Sequence, residues 1–219
     1  MMIKIAPSAL SADFGNFRNH IIEVEKAGAD MLHLDVMDGN FVPNLSFGPD
    51  LVKSIRNDTK LFFDCHLMVK NPEIFVEPFV KAGADSITFH AECVSDMPFL
   101  IEKIHSYGIE AAVAINPQTP AEAVRSAVPY ADMILIMSVV PGFGGQKFMP
   151  EVLGKALEIR AMDGGKNIKL QIDGGINKDT AREAAKNGIE ILVAGSAVFN
   201  NPPLKDSIEA IRQSAQSVL

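Results

Sequence analysis

Short apolar runs alternate with longer amphipathic stretches along the whole chain. The short runs fall at residues 3–7, 31–37, 61–67, 86–90, 109–114, 133–137, 168–172 and 191–194, and they are rich in Ile, Val, Leu, Met, Ala and Phe. Their length and composition predict strands. Between them, apolar positions recur at helical spacing over 14–27, 72–82, 98–107, 120–127, 150–162 and 178–187, with a last helix over 204–218. Strands and helices in this alternation predict successive βα units and a parallel sheet. The corners between units repeat. Lys26-Ala27-Gly28-Ala29-Asp30 recurs as Lys81-Ala82-Gly83-Ala84-Asp85, and Tyr107-Gly108-Ile109-Glu110 parallels Asn187-Gly188-Ile189-Glu190. In each, Gly supplies the left-handed residue that ends a helix before a strand begins. The repetition predicts an α/β fold, a (β/α)8 TIM barrel over residues 1–219 in a single domain. An open doubly wound sheet is the alternative.

Composition narrows the partners. The net charge of −7 disfavours nucleic acid and anionic membranes. A local nest of backbone N–H groups can still hold an anionic small substrate. Two cysteines, Cys65 and Cys93, lie far apart with no CxxC spacing, so no disulfide framework is expected and a reducing compartment fits better. The first residues pass into a strand pattern without a signal-peptide core, and no apolar run has membrane-spanning length. These features predict a soluble, cytoplasmic protein.

The unusual residues cluster at predicted strand ends. In Leu32-His33-Leu34-Asp35-Val36-Met37-Asp38-Gly39, alternation places His33 and Asp35 on one face. His66 and Asp173 end other strands. In a barrel such ends converge on one mouth, where catalysis sits. Two imidazoles and two carboxylates suit one divalent metal ion, Zn²⁺, Fe²⁺, Mn²⁺ or Co²⁺, better than Mg²⁺. His90 also ends a strand, and a mouth-lining or structural role is favoured over ligation. His20 and His105 fall in helical patterns, as surface residues. Cys65 alternates away from His66 and reads as a small packed residue.

A second constellation is rich in glycine. Pro141-Gly142-Phe143-Gly144-Gly145-Gln146 follows the sixth strand, Gly174-Gly175 the seventh and Gly195-Ser196 the eighth. Glycines on neighbouring strand ends let backbone N–H groups approach an anion, which predicts a phosphate cup. Met37, Met68 and Met137 read either as plugs over the core or as a dry, polarizable wall beside a developing enolate. Ser8, at the end of the first strand, could donate a hydrogen bond to substrate.

These segments resemble the ribulose-phosphate 3-epimerase family along nearly the whole chain. The resemblance rests on Ala6-Pro7-Ser8, Leu34-Asp35-Val36-Met37-Asp38-Gly39 with Phe41-Val42-Pro43-Asn44, and Asp64-Cys65-His66-Leu67-Met68. It continues through Asn116-Pro117, Pro141-Gly142-Phe143-Gly144-Gly145-Gln146, Asp173-Gly174-Gly175-Ile176 and Ala194-Gly195-Ser196-Ala197-Val198-Phe199. It implies a barrel of the ribulose-phosphate-binding type that interconverts D-ribulose 5-phosphate and D-xylulose 5-phosphate in the pentose phosphate pathway. It also implies His33, Asp35, His66 and Asp173 as metal ligands and Asp35 and Asp173 as the acid/base pair. Substrate contacts would come from Ser8, His33, Asp35, His66, Asp173 and the cup of Gly142, Phe143, Gly144, Gly145, Gly174, Gly175, Gly195 and Ser196. The family commonly forms dimers or hexamers, so a homo-oligomer is implied too. Two positions depart from the family's habit: Val140, where a polar residue is frequent, and Gln171, where Glu is common. Rival readings are an epimerase of a hexulose 6-phosphate such as D-allulose 6-phosphate, a non-catalytic sugar-phosphate-binding barrel, and a metal-free phosphate barrel.

Overall fold

The computed structural model of the chain describes residues 2–219. Eight strands appear: β1 (Lys4–Pro7), β2 (Met31–Met37), β3 (Phe62–Met68), β4 (Ser86–His90), β5 (Glu110–Ile115), β6 (Met133–Met137), β7 (Lys169–Asp173) and β8 (Ile191–Ala194). All paired neighbours are parallel, in the order β1-β8-β7-β6-β5-β4-β3-β2. A parallel bridge between Ser8 and His33 joins β1 to β2 and closes the ring. The predicted barrel is therefore present. Strand bounds differ from the sequence expectation by one residue at β1, β3, β5 and β7, enough to make Met68 and Asp173 the last residues of their strands.

Helices cover the outside: α1 (Phe17–Lys26), α2 (Pro49–Ile55), α3 (Val76–Ala82), α4 (Met97–His105), α5 (Gly154–Arg160), α6 (Lys178–Lys186), α7 (Ser196–Phe199) and α8 (Leu204–Gln216). Three places differ from the periodicity reading, one of them the single-turn α7, which follows Gly195 and was not expected. α2 is additional; its signal was Gly48-Pro49-Asp50, with Gly at the N-cap, Pro in the first turn and an acid beside it. Residues 120–127 form only a 3₁₀ segment, Ala121–Val124, followed by turns. Pro120 and Pro129 bracket this stretch, leaving too little chain for a stable helix.

The repeated corners have a physical basis. Gly28, Gly83, Gly108 and Gly188 all have positive φ, between 77° and 99°. The aspartate after each KAGAD corner then reaches sideways to a neighbouring strand. Asp30 accepts from the Ile5 N–H and Asp85 from the Phe63 N–H, each through Oδ2. Asp132, before β6, does the same for Ala111 N–H. Register between strands is thus pinned at the barrel's lower end.

Alternation along each strand divides the apolar residues into two sets. Leu32, Leu34 and Val36 of β2, with Phe63, Cys65 and Leu67 of β3, face outward into the main core beneath the helices. The inward set is smaller and is interrupted by polar groups. Ala6, Met31, Ala112, Met133, Ile191 and Val193 fill the lower barrel, while Met37, Val42 and Met68 pack together at the mouth. Ala114, Leu135, Met137 and Val139 form a third apolar group, and the buried polar side chains include His33, Asp35, Asp64, His66, Thr88 and His90.

Candidate active site

Register sets the site. His33 pairs with Asp64, and Asp35 with His66, across β2 and β3. The side chains of all four point into the barrel and are buried. Asp173 enters from the end of β7. One ligand atom each from His33, Asp35, His66 and Asp173 lies within 4.8 Å of the others. His33 Nε2 is 3.3 Å from Asp35 Oδ1 and 3.8 Å from Asp173 Oδ2. His66 Nδ1 is 3.2 Å from Asp35 Oδ1 and 3.3 Å from His33 Nε2. Donor atoms bound at about 2.0–2.2 Å around one ion stand about 3–3.5 Å apart, and the separations among His33, Asp35 and His66 match that spacing, so these residues would suit one N/O-ligated divalent ion.

The two carboxylates differ in charge state. Burial and repulsion from Asp35 push Asp173 up to about 7, against the attraction of His33. Asp35 is buried as well, yet His33 and His66 more than reverse that penalty and hold it below the usual carboxylate range. Burial lowers His66 to about 4, partly offset by its hydrogen bond to Asp35. The arrangement separates a ready acceptor from a ready donor, the pattern of paired acid/base carboxyls. The Ser8 hydroxyl donates to Asp35 Oδ2 at 2.5 Å and fixes the rotation of that carboxylate.

Above the cluster opens a cleft. Ser8, Asp35, Met37, Met68, Met137 and Asp173 form its floor and one side; Gly142, Phe143, Gly144, Gly145, Gly174, Gly175, Gly195 and Ser196 form the other. His33 and His66 lie fully buried beneath it. Gly175 shows why glycine is needed. Its φ is 64°, and a Cβ there would come within 2.5 Å of the Phe148 nitrogen. At Gly195 a Cβ would meet Ser11 Oγ at 2.5 Å. Met37, Met68 and Met137 are buried, as a plug over the core would be, and they line the cleft. Phe143 and Val140 stand half-exposed at the rim.

Several participants escaped the sequence reading. Asn44 Nδ2 donates to the Gly142 carbonyl at 2.7 Å and ties the loop after β2 to the glycine loop after β6. Ser46 Oγ donates to the Asp35 carbonyl at 2.6 Å. Ser138 Oγ donates to the carbonyls of Asp173 and Gly174, at 2.9 and 2.7 Å, and holds the end of β7. Asp64 sits two residues before His66 on the same face, a signal that alternation alone carries. His90 stands behind His66 rather than in the quartet, with the two Nε2 atoms 2.8 Å apart. Its Nδ1 is 3.2 Å from Glu92 Oε2. His105 is exposed and paired with Asp132 at 2.8 Å. His20, expected at the surface, is half-buried against Phe199. Cys65 is buried in the outer core, and Cys93 is half-buried; both thiols are free.

Comparison with known proteins identifies the lineage. Ribulose-phosphate 3-epimerase of Bacillus subtilis (strain 168) is 45% identical over 216 residues, covering 97% of this chain and 100% of its own. The ribulose-phosphate 3-epimerase of Eremothecium gossypii is 44% identical, covering 98% and 94%. Among solved structures, 3-hexulose-6-phosphate synthase from Salmonella typhimurium superposes with a TM-score of 0.73 at 16% identity, over 99% of this chain and all of that one, a likeness of fold. The model of the ribulose-phosphate 3 epimerase family matches residues 4–199, and the chain belongs to that family.

Proposed function

We propose that the chain is a metal-dependent enzyme that interconverts D-ribulose 5-phosphate and D-xylulose 5-phosphate by proton transfer at C3. The observation that carries this reading is the convergence of Asp35 and Asp173, from β2 and β7, on one N/O cluster with opposite protonation tendencies. Family membership supports the reaction.

Epimerisation requires removal of a proton from one face of a carbon and its return to the other. The C3 proton is acidic only as far as the resulting enediolate is stabilised. A divalent ion held by His33, Asp35, His66 and Asp173 would supply Lewis-acid stabilisation of that charge. The remaining work falls to the protein. Asp35, the anionic member, accepts the C3 proton of ribulose 5-phosphate, and Asp173, the protonated member, delivers one to the opposite face; the reverse reaction exchanges their roles. Their titrations are linked, since the charge on each raises the other. Ser8, His33 and His66 contact the sugar, and Met37, Met68 and Met137 keep water from the reacting carbon. The glycine cup, from Gly142 through Gly145 with Gly174, Gly175, Gly195 and Ser196, grips the phosphate and fixes the orientation of C3.

The same reading treats the chain as a single domain around one sheet. It also takes the enzyme as a cytoplasmic homo-oligomer, a dimer or a hexamer. Exposed Phe14, Leu45 and Phe143 are apolar surface that a second copy would cover. No helix among the described residues is long and apolar enough to cross a membrane.

The test is a coupled assay offering ribulose 5-phosphate and allulose 6-phosphate to protein loaded in turn with Zn²⁺, Fe²⁺, Mn²⁺ and Co²⁺. Turnover of the pentulose phosphate with at least one metal is expected. Preference for the hexulose phosphate, or binding of the pentulose phosphate with no turnover under any metal, would replace this reading.

A further inference from the structure

Behind His33 lies a carboxylate that the reaction itself does not touch. Asp64 is fully buried on β3. Its Oδ2 is 2.8 Å from His33 Nδ1, the ring nitrogen turned away from the quartet. The same oxygen accepts from Gln171 Nε2 of β7 at 2.8 Å, and Oδ1 accepts from Thr88 Oγ1 of β4 at 2.8 Å. Three strands besides its own, β2, β4 and β7, therefore hold one anion in a closed space. Every one of these contacts brings a polar hydrogen-bonding group to the Asp64 carboxyl, so its two oxygens are engaged from three sides. Among the described residues no Lys or Arg forms an ion pair with it, and its close partners are the His33 ring, Gln171 and Thr88.

This contact decides which nitrogen of His33 carries the proton. A carboxylate can only accept, so Nδ1 donates and the Nε2 lone pair faces the cluster. Metal-binding histidines gain both orientation and basicity from such an outer carboxylate. His66 is backed differently. Its Nε2 meets His90, an imidazole, and the nearest carboxylate on that side, Glu92, is one residue further out. The two imidazoles of the quartet are thus unequal.

We propose that Asp64, locked by Thr88 and Gln171, is a positioning residue that turns His33 Nε2 to the ion and makes His33 the stronger of the two imidazole donors. Gln171 has a second part in this. It lies two residues before Asp173 on the same face of β7, so its bond to Asp64 ties β7 to β3 directly beneath the reacting carboxylates. An amide can donate to Asp64, whereas a carboxylate at position 171 would have to be protonated to do so. The inference rests on reading His33, Asp35, His66 and Asp173 as a metal site.

The test compares the parent with Asp64→Asn, Thr88→Val, Gln171→Met and His90→Phe. Each protein is stripped of metal and titrated with Co²⁺ against a chelator, and the visible spectrum of the bound Co²⁺ is recorded. Asp64→Asn is expected to weaken Co²⁺ binding about 10–100-fold and to shift the spectrum. Thr88→Val and Gln171→Met should each weaken it a few-fold, and His90→Phe less than Asp64→Asn. Affinity for inorganic phosphate, which reports on the glycine cup, should not change in any of them. Co²⁺ bound by Asp64→Asn as tightly as by the parent, with an unchanged spectrum, overturns the proposal. So does lowered thermal stability of the metal-free variant with affinity unaltered, since that is a packing role alone. Should Asp64→Asn fail to fold, parent-like Co²⁺ affinity in both Thr88→Val and Gln171→Met overturns it equally. A parent protein that binds no Co²⁺ would instead refute the metal reading beneath it.

Discussion

The inside of the barrel has two unlike halves. β2, β3 and β4 place His33, Asp35, Asp64, His66, Thr88 and His90 there, whereas β5 and β6 place Ala112, Ala114, Met133, Leu135 and Met137. Burial is nearly complete in both, so exposure does not distinguish them. Energetics does. The apolar half gains about 25 cal/mol for each Å² removed from water. The polar half loses hydration and recovers it only through hydrogen bonds such as His33–Asp64 and Thr88–Asp64. A barrel seeking stability alone has no use for that half. It is retained because ligands and proton carriers must be held still and dry, and the apolar half with the outer core supports the cost.

The comparison can be broken most severely at the carboxylates. Asp173→Asn and Asp35→Asn should each lower kcat by about 10²–10⁴-fold while binding of inorganic phosphate persists. A variant keeping parental kcat would remove that residue from the acid/base pair. Next comes the ion. Exhaustive chelation should abolish turnover, and one equivalent of a divalent ion per chain should restore it; activity surviving complete metal removal would make the quartet structural. On the apolar side, Leu135→Ala should cost about 2–5 kcal/mol in unfolding free energy measured with denaturant. It should leave Co²⁺ affinity within a factor of about two, because Leu135 packs with Ala114, Met137 and Val139 and contributes no atom to the quartet. Loss of metal affinity there, without unfolding, would erase the functional distinction between the halves.

The smallest expected effect concerns pH. Burial pushes the Glu92 carboxyl up, but hydrogen bonds from His90, the Thr119 hydroxyl and the Asn116 N–H more than compensate and bring it from an ordinary 4.5 to about 2. A carboxyl lowered in the folded state adds stability above its unfolded value and loses it as pH falls through the folded one. The parent should therefore exceed Glu92→Gln by about 1 kcal/mol near neutral pH, allowing for the partial exposure of this side chain. The difference should shrink between pH 4.5 and pH 2. Denaturant melts across that range check it; a constant difference would show that Glu92 is not the titrating group.

How much of this was legible in the chain varies by kind of information. Strand periodicity placed His33 and Asp35 on one face correctly, because alternation is a local property of the backbone. The glycine corners were legible for the same reason: only Gly tolerates the left-handed ending at low cost. α2 was not, since seven residues carry too few periods to stand out, and only its Gly48-Pro49 start marks it. The 3₁₀ segment at Ala121–Val124 was misread because apolar spacing does not weigh the prolines on either side. At the site, the quartet was recoverable from alternation along β2 together with the residue types near the ends of β3 and β7. The partners behind it were not. Alternation puts Asp64 on the face of His66 and Gln171 on that of Asp173, but their contacts, and that of His90, depend on β2–β3–β4 register and on a bond across the barrel, which no local pattern encodes.

The central claim is that protons leave and return at C3 through two side chains on opposite sides. Turnover of ribulose 5-phosphate in D₂O, followed by NMR of the products, tests it most directly with the parent and Asp173→Asn side by side. The account predicts xylulose 5-phosphate carrying solvent deuterium at C3 from the parent, and that epimer formed about 10²–10⁴-fold more slowly by the variant. Epimer formed without deuterium, or formed by Asp173→Asn at the parental rate, would contradict it.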